Sequence, residues 1–407
     1  MHKLSIQLPP FAPDYSGVCS ALFALGGLLV IHDASGCTGN YTGYDEPRWY
    51  DSRSLVYCSG LREMDAILGN DEKFIQKIEN AANDLKPNFI CFLGSPAPMV
   101  IGTDLEGIAA ELEERTGIPS MGLATTGLHY YDKGISDAYI AFGKKFFPPP
   151  QAVCTSGNSV NILGLTPLDF SNNSNAADLV GELEKRGLTI QADFSMISDF
   201  HKVCQAPSAG VNLVVSKSAM GLAEYMKKRY QIPYVVGVPV GESGADCLVE
   251  MLKKTMIDKR ERVLETDIED ASQVLMIGEE VLIRSLAFYF DKEREIKGIQ
   301  PAVLFGRTQG VYRQDSLALN SESDIRKLVN SGKYHTIIAD PLIRQLIREE
   351  EKIQFIDLPH VAVSSKVYWD YAPQLMGGQL TENSFCSLVQ RLNAHQEPQI
   401  HDIRREN

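Results

Sequence analysis

Leu28-Leu29-Val30-Ile31-His32-Asp33-Ala34-Ser35-Gly36-Cys37-Thr38-Gly39-Asn40 passes from a short apolar run into a turn holding two glycines and a cysteine. An uninterrupted apolar run of that length suits a strand buried on both faces, as in a parallel sheet, and open α/β sheets place their sites just past such strand ends. Two more runs of this kind follow, Leu55-Val56-Tyr57-Cys58 and Asn88-Phe89-Ile90-Cys91-Phe92-Leu93, closed by the turns Cys58-Ser59-Gly60 and Gly94-Ser95-Pro96. Between them Asp71 to Leu85 reads as a helix, acidic in its first turn and stopped at Lys86-Pro87. Asp104 to Thr116 repeats the pattern before Gly117-Ile118-Pro119. Strands and helices alternating in this way predict βαβ units on a parallel sheet.

Outward from this block, Phe147-Pro148-Pro149-Pro150 marks a linker, because consecutive prolines neither continue a helix nor join the middle of a sheet. A second series begins at Val160-Asn161-Ile162-Leu163-Gly164 and continues through Val211 to Val215, a helix through Tyr230, Tyr234 to Val238, and a charged helix around Lys259-Arg260-Glu261-Arg262. A third opens at Val274-Leu275-Met276-Ile277-Gly278, and Tyr334 to Asp340 followed by a helix through Glu351 continues it. The expected architecture is three α/β units, each a parallel sheet flanked by helices: residues 1–150, 151–268 and 269–360, with 361–407 returning to pack on the first unit. Arg348 to Lys352 and Lys259 to Arg262 read as solvated helix faces.

The totals narrow the function classes. A chain of 407 residues with 44% apolar and 22% charged residues is an ordinary folded protein, long enough for more than one core. A net charge of −13 argues against a sequence-independent grip on nucleic acid, leaving small molecules and proteins as expected partners. No apolar run is long enough to cross a bilayer, and Met1-His2-Lys3 precedes a proline-interrupted segment rather than a signal-peptide core, so a cytoplasmic location without membrane contact is expected. The eight cysteines carry no CxxC pair and do not form a secreted disulfide framework; they read as reduced thiols or metal ligands. The sequons at Asn40 and Asn172 are then without consequence.

Among the thiols Cys37 stands apart. A turn beyond a strand end is a poor place to bury a thiol, and Gly36 and Gly39 free the backbone for a close approach. The residues alone leave three readings for such a thiol: nucleophile, iron–sulfur ligand or small buried hydrophobe. Cys91, in mid-strand, and Cys154, Cys204, Cys247 and Cys386 read as buried. The connection after the first strand is long for a routine one and carries Tyr41, Tyr44, Trp49 and Tyr50, which line either a flat-ring pocket or, as aromatics more commonly do, a packed or interface loop. His32 reads as a satisfied backbone partner rather than a ligand.

His32-Asp33-Ala34-Ser35-Gly36-Cys37 resembles the His-Gly-Pro/Ser-x-Gly-Cys turn of nitrogenase component 1 and its relatives, and Ser20 to Gly26 stands where those proteins have a Gly-Ala-rich helix. Leu61-Arg62-Glu63-Met64-Asp65-Ala66-Ile67-Leu68-Gly69 is similar to the family's Leu-x-Glu-x-Asp-x-x-x-Gly, and Ile101-Gly102-Thr103-Asp104 to its Ile-Gly-Asp-Asp. Gly117-Ile118-Pro119 through Leu128, Asn212-Leu213 through Tyr230-Gln231-Ile232-Pro233, and Phe355-Ile356-Asp357-Leu358-Pro359 resemble later family segments in the same order.

The resemblance implies three Rossmann-like domains and a homodimer, or a heterodimer with a paralogous subunit. It also implies an iron–sulfur cluster at the subunit interface, of the [4Fe–4S] type, and electrons delivered by a separate ATP-dependent reductase resembling the nitrogenase iron protein. The chain has no GxxxxGK[ST] loop of its own, in keeping with ATP being handled by that partner. Nitrogenase subunits place three cysteines around the interface cluster. Cys37 keeps one position, the first falls near Tyr15, and the third falls at Ser95-Pro96. The cysteine that anchors the nitrogenase active-site metallocluster aligns with Val215, so dinitrogen reduction is not expected. A two-fold dimer supplies each ligand twice, so two cysteines per chain suffice. Cys37 is one; Cys19, one helical turn or about 6 Å beyond Tyr15, is the first choice for the second, and Cys58 is close behind. Asp33, Tyr15 and Ser95 are possible oxygen ligands. The expected function is a nitrogenase-like oxidoreductase component reducing a small molecule in a cleft between the three domains. The alternatives are a non-catalytic scaffold for assembling a metallocluster or cofactor, and a metal-free partner subunit.

Overall fold

The first strand, β1 (Leu28–Ile31), is buried along its whole length and lies inside a four-stranded parallel sheet. Leu28 and Val30 face the helices Asp71–Leu85 and Leu105–Thr116 through Ile75, Ile78, Ala82, Ile108 and Leu112. Leu29 and Ile31 face the larger core on the other side, the alternation a strand imposes on its side chains. With both faces covered, an all-apolar strand is stable only in the sheet interior, and β1 pairs with β2 (Leu55–Cys58) and β3 (Ile90–Leu93) in register, Leu28 opposite Leu55 and Ile90. β4 (Ser120–Leu123) completes the order β2-β1-β3-β4.

The structure is a computed structural model that describes residues 5–51, 54–69, 71–153, 156–267, 273–313 and 315–376. Cys154, Cys386, the boundary near 268 and most of 361–407 lie outside these residues. Two more parallel sheets follow. The second holds β5 (Ser156–Leu163), β6 (Thr189–Asp193), β7 (Ala209–Val214), β8 (Tyr234–Val236) and β9 (Arg262–Val263) in the order β6-β5-β7-β8-β9. The third holds β10 (Val274–Gly278), β11 (Ile299–Val303), β12 (Leu317–Ala318), β13 (Thr336–Ala339) and β14 (Gln354–Asp357) in the order β12-β11-β10-β13-β14. The α/β class with helix-flanked parallel sheets expected from the sequence is the architecture found. No described helix is long and apolar enough to cross a membrane.

One buried cluster runs through all three sheets. Its centre is a pair of helices, Asp14–Leu22 and Tyr131–Phe146, packed backbone to backbone: a Cβ added at Gly17 would lie 2.0 Å from the Tyr131 carbonyl oxygen, and one at Gly134 would lie 1.8 Å from that of Asp14. Two helices expected from charge patterning are absent. The run at Lys259 is a helix end, because Gly241–Asp258 stops at Lys259 in the left-handed conformation, the Arg262 guanidinium turns back onto Asp258, and Arg262–Val263 joins the sheet edge. Between β13 and β14 the chain makes only the short 3₁₀ turns Pro341–Leu346 and Glu350–Lys352.

Candidate functional site

In each sheet the chain leaves one strand to one side and returns on the other, so a crevice opens at the carboxyl ends of β1 and β3, of β5 and β7, and of β10 and β13. The first crevice holds Cys37. Beyond β1 the Asp33 carboxylate accepts hydrogen bonds from the backbone N–H of Ser35 (2.9 Å), Cys37 (2.8 Å) and Thr38 (3.2 Å), closing the turn around itself. Ser35 sits at φ 153°, a conformation held by that clamp. The Asp33 carbonyl oxygen meanwhile accepts from the Cys58 thiol at 3.3 Å and from the Leu61 amide at 2.8 Å. One residue thereby ties the ends of β1 and β2 together.

The half-buried Cys37 thiol has the Tyr15 hydroxyl, the Ser95 hydroxyl and the Asp33 carboxylate as its polar neighbours. The Ser95 hydroxyl donates in turn to the His32 carbonyl oxygen at 2.9 Å. Burial, then the Asp33 charge, push the Cys37 thiol above its ordinary value against the two hydroxyl donors, so the chain by itself holds it protonated at neutral pH. Tyr15, Cys37 and Ser95 are the three positions at which the sequence resemblance placed cysteines, and the fold brings them to one point. Gly36, Gly39 and Gly43 leave open space where a Cβ would stand, so the glycines of the turn face outward rather than accommodating a neighbour in the same chain. Exposed apolar side chains stand at the same edge of the sheet: Met64, Ile67 and Leu68 beyond β2, and Val100 and Ile101 beyond β3.

The other two expected cysteines separate. Cys58 is half-buried on this rim, its sulfur also accepting from the Gly60 amide at 3.3 Å. Cys19 is fully buried in the core with Cys91 and Glu46 as its charged or titratable neighbours, and burial pushes its thiol well above the ordinary value. Cys91 is likewise buried and pushed up to about 12. Among the described residues no group of three or more His, Cys, Asp or Glu side chains is placed to hold a metal ion within one chain. His32 is buried and pushed down to about 4 by that burial; its Nδ1 pairs with the Ser59 hydroxyl at 2.9 Å, and its ring meets Phe74 edge-on.

The aromatic connection after Cys37 is a clamp between sheets. Tyr41 is fully buried and donates to Glu46 at 2.8 Å, and Trp49 packs on Phe23. Buried Arg48 pairs with Glu46 at 2.7 Å and donates to the carbonyl oxygens of Ser20 (2.9 Å) and of Ser195 (2.6 Å), the latter beyond β6. Asp45 accepts from Ser16 (2.7 Å), Asn40 (3.0 Å) and Ser365 (2.8 Å), the last from the segment following the third sheet. Burial pushes Asp45 up to about 6 despite those donors.

A second polar assembly occupies the crevices of the other two sheets. Asp169 follows β5, Lys217 follows β7, Glu279 follows β10 and His360 follows β14. The Lys217 amide donates to Glu279 at 2.9 Å, while its ammonium pairs with Asp132 and donates to the Phe305 carbonyl oxygen at 2.7 Å. Asp169 accepts from the Tyr131 hydroxyl and lies 3.3 Å from His360 Nε2. Burial, then the neighbouring Asp169 charge, push Glu279 well above the usual carboxylate range. None of these residues was singled out from the sequence. Extending to the later strands the search of strand ends that found Cys37 would have reached Asp169, Lys217 and Glu279, whereas Tyr131 and His360 come to the junction only through packing.

Residues 14–289 match the family model described as nitrogenase component 1 type oxidoreductase. The nitrogenase iron-molybdenum cofactor biosynthesis protein NifE of Clostridium pasteurianum is 26% identical over 296 residues, covering 71% of this chain and 60% of that protein. A light-independent protochlorophyllide reductase component from Nostoc sp. (strain PCC 7120 / SAG 25.82 / UTEX 2576) is 25% identical over 250 residues, covering 58% of this chain and 47% of that protein. The chain thus spans about half to three-fifths of these relatives' length. The solved structure of nitrogenase Cp1 at pH 5 superimposes with a TM-score of 0.67 over 96% of this chain and 90% of that one at 15% identity, a likeness of fold.

Proposed function

The chain belongs to the nitrogenase component 1 type oxidoreductase family, and on that premise we propose that it is the catalytic component of a nitrogenase-like reductase. Two copies, or this chain and a paralogous partner, meet over the Cys37 rim and share an iron–sulfur cluster of the [4Fe–4S] type. An ATP-dependent iron-protein-like reductase supplies the electrons, and a small molecule is reduced where Asp169, Glu279, Lys217 and His360 converge. The observation that carries this reading is the rim, with Cys37 and Cys58 half-buried beside an outward glycine face and exposed Met64, Ile67, Leu68, Val100 and Ile101.

The donor set fits the group only across two chains. Such a cluster takes about four thiolates, and the rim offers Cys37 and Cys58 from each copy. Cys19 does not reach the rim. When bound, the cluster stores and passes single electrons. The chain's own residues do the rest: Asp33 fixes the turn that presents Cys37 through one carboxylate oxygen, and the Tyr15 and Ser95 hydroxyls neighbour its sulfur. Both thiols lose their protons on ligation. The names of the relatives suggest two occupants for the junction, a reducible tetrapyrrole or, by the likeness to NifE, a cofactor precursor held for assembly.

Anaerobic purification tests the reading. Iron and sulfide near about four each per two chains, lost in Cys37→Ala, support the cluster; a stable metal-free protein overturns it and leaves the partner-subunit role. ATP-dependent reduction of the bound cluster by an iron-protein-like partner, followed by multiple turnovers, distinguishes a reductase from a scaffold, which would release its cargo once.

A further inference from the structure

Residues 5–12 form a strap that lies along the third sheet and ends against the first. Three successive amides, of Ile6, Gln7 and Leu8, donate to one Glu322 oxygen at 2.8, 2.9 and 3.0 Å, and Arg326 holds the other oxygen at 2.6 Å. Pro9-Pro10 stiffen the middle. At the far end the Ala12 amide donates to the Ala362 carbonyl oxygen at 2.8 Å, and the Ala12 carbonyl oxygen accepts from Tyr131 at 2.9 Å.

Only Leu8 is buried among residues 5–10; Ser5, Ile6, Gln7, Pro9 and Pro10 are exposed, so little apolar burial holds the strap down. Such a segment opens locally at lower cost than the sheets beneath it. Its other inward side chain is the half-buried Phe11, whose ring lies 5.9 Å from those of Phe305 and Tyr130. Phe305 in turn stands 5.0 Å from the Tyr131 ring and 5.6 Å from the His360 ring. The order from solvent inward is therefore strap, Phe305, and then the Tyr131–Asp169–His360 assembly. A cavity of about 170 Å³ lies under the strap, lined by Leu8, Pro9, Phe11, Leu304, Leu319 and Ile325. Behind Phe305, His360 is only 5% exposed; its Nε2 faces Asp169 at 3.3 Å, while its Nδ1 has no hydrogen-bond partner, a polar atom left for an arriving one.

We propose that the strap is a lid on the junction: release of its amides from Glu322 lets Phe11 and then Phe305 swing aside, and a ligand reaches His360. Glu322 is the latch and Phe11 the plug. The inference rests on the reading of the junction as the binding place, and its test does not depend on turnover or on a cluster.

The test is the rate at which diethylpyrocarbonate modifies each histidine of the full chain, read peptide by peptide by mass spectrometry. His201 and His335 are exposed and calibrate the reagent, and His32, buried in the first sheet, reports general loosening. In the unaltered protein His360 reacts far more slowly than His201. In Glu322→Ala and in Phe11→Ala its rate rises by about tenfold or more, as expected on losing charge-assisted bonds to a locally opening segment, while His32 stays protected. Glu322→Gln, which keeps an acceptor and the shape, falls between and covers the case in which the alanine variant folds poorly. An unchanged His360 rate in both Phe11→Ala and Glu322→Gln overturns the lid, and so does a parallel rise at His32. A metal-free protein with a gated His360 keeps the lid and loses the reductase reading; a cluster-bearing, active protein with an ungated His360 does the reverse.

Discussion

At the scale of single residues, the contrast between Cys37, Cys58 and Cys19 turns on depth. The Tyr15 ring spans from its helix to the Cys37 sulfur, whereas Cys19 sits one turn further along the same helix with a short side chain wholly inside the core. Helical spacing keeps a residue on the same face and is silent on how far that face lies from the rim. The half-buried turn of Cys37 was legible because it is local to the chain; that Cys19 lies in the core while Cys58 stands at the rim was not, because it depends on how a buried helix is set against the sheet. Cys58→Ala should lower bound iron as Cys37→Ala does. Cys19→Ala should keep the iron and cost about 1 kcal/mol of stability, the usual order for a small core truncation. Iron retained in Cys58→Ala, measured beside an unfolding curve, would remove Cys58 from the site.

At the scale of elements, the connection from Tyr41 to Tyr50 is pinned as a strut through Tyr41, Asp45, Glu46 and Arg48, while Tyr44 and Tyr50 stay exposed. The sequence marked it as long and aromatic and left both readings open; the Arg48–Ser195 and Asp45–Ser365 bonds that pin it were out of reach, since partners so distant along the chain are invisible to local pattern. Asp45 supplies a pH signature. A carboxyl pushed up by burial from 3.8 to about 6 favours folding in its protonated form, so its contribution is fully present below the unfolded value and is lost as pH rises through about 6. In Asp45→Asn, stability should become flatter across that window by up to about 3 kcal/mol. Urea unfolding curves at pH values on either side of it check the outcome, and an unchanged pH slope would mean that Asp45 does not titrate there.

At the scale of the molecule, three parallel sheets turn their crevices to two assemblies: a thiol rim on the first, and a carboxylate, lysine and histidine junction shared by the other two. Arg48 holds the first sheet to the second. Its guanidinium is buried against Glu46 and two carbonyl oxygens, so Arg48→Ala leaves a buried carboxylate unpaired and should cost about 3–5 kcal/mol. Thermal unfolding should then separate into more than one transition, because the sheets lose a common fastening. A single transition with little loss would show that the apolar core alone couples them. By itself the sequence determined the class of fold, the parallel pairing and the position of Cys37, because each rests on periodicity and turn chemistry within a few tens of residues. Tertiary structure alone decided that Tyr15, Cys37 and Ser95 meet and that Cys19 is withdrawn. It also decided that Asp169, Glu279 and His360 pack at one buried junction inward of the strap, because those contacts join strand ends whose meeting depends on the packing of whole sheets.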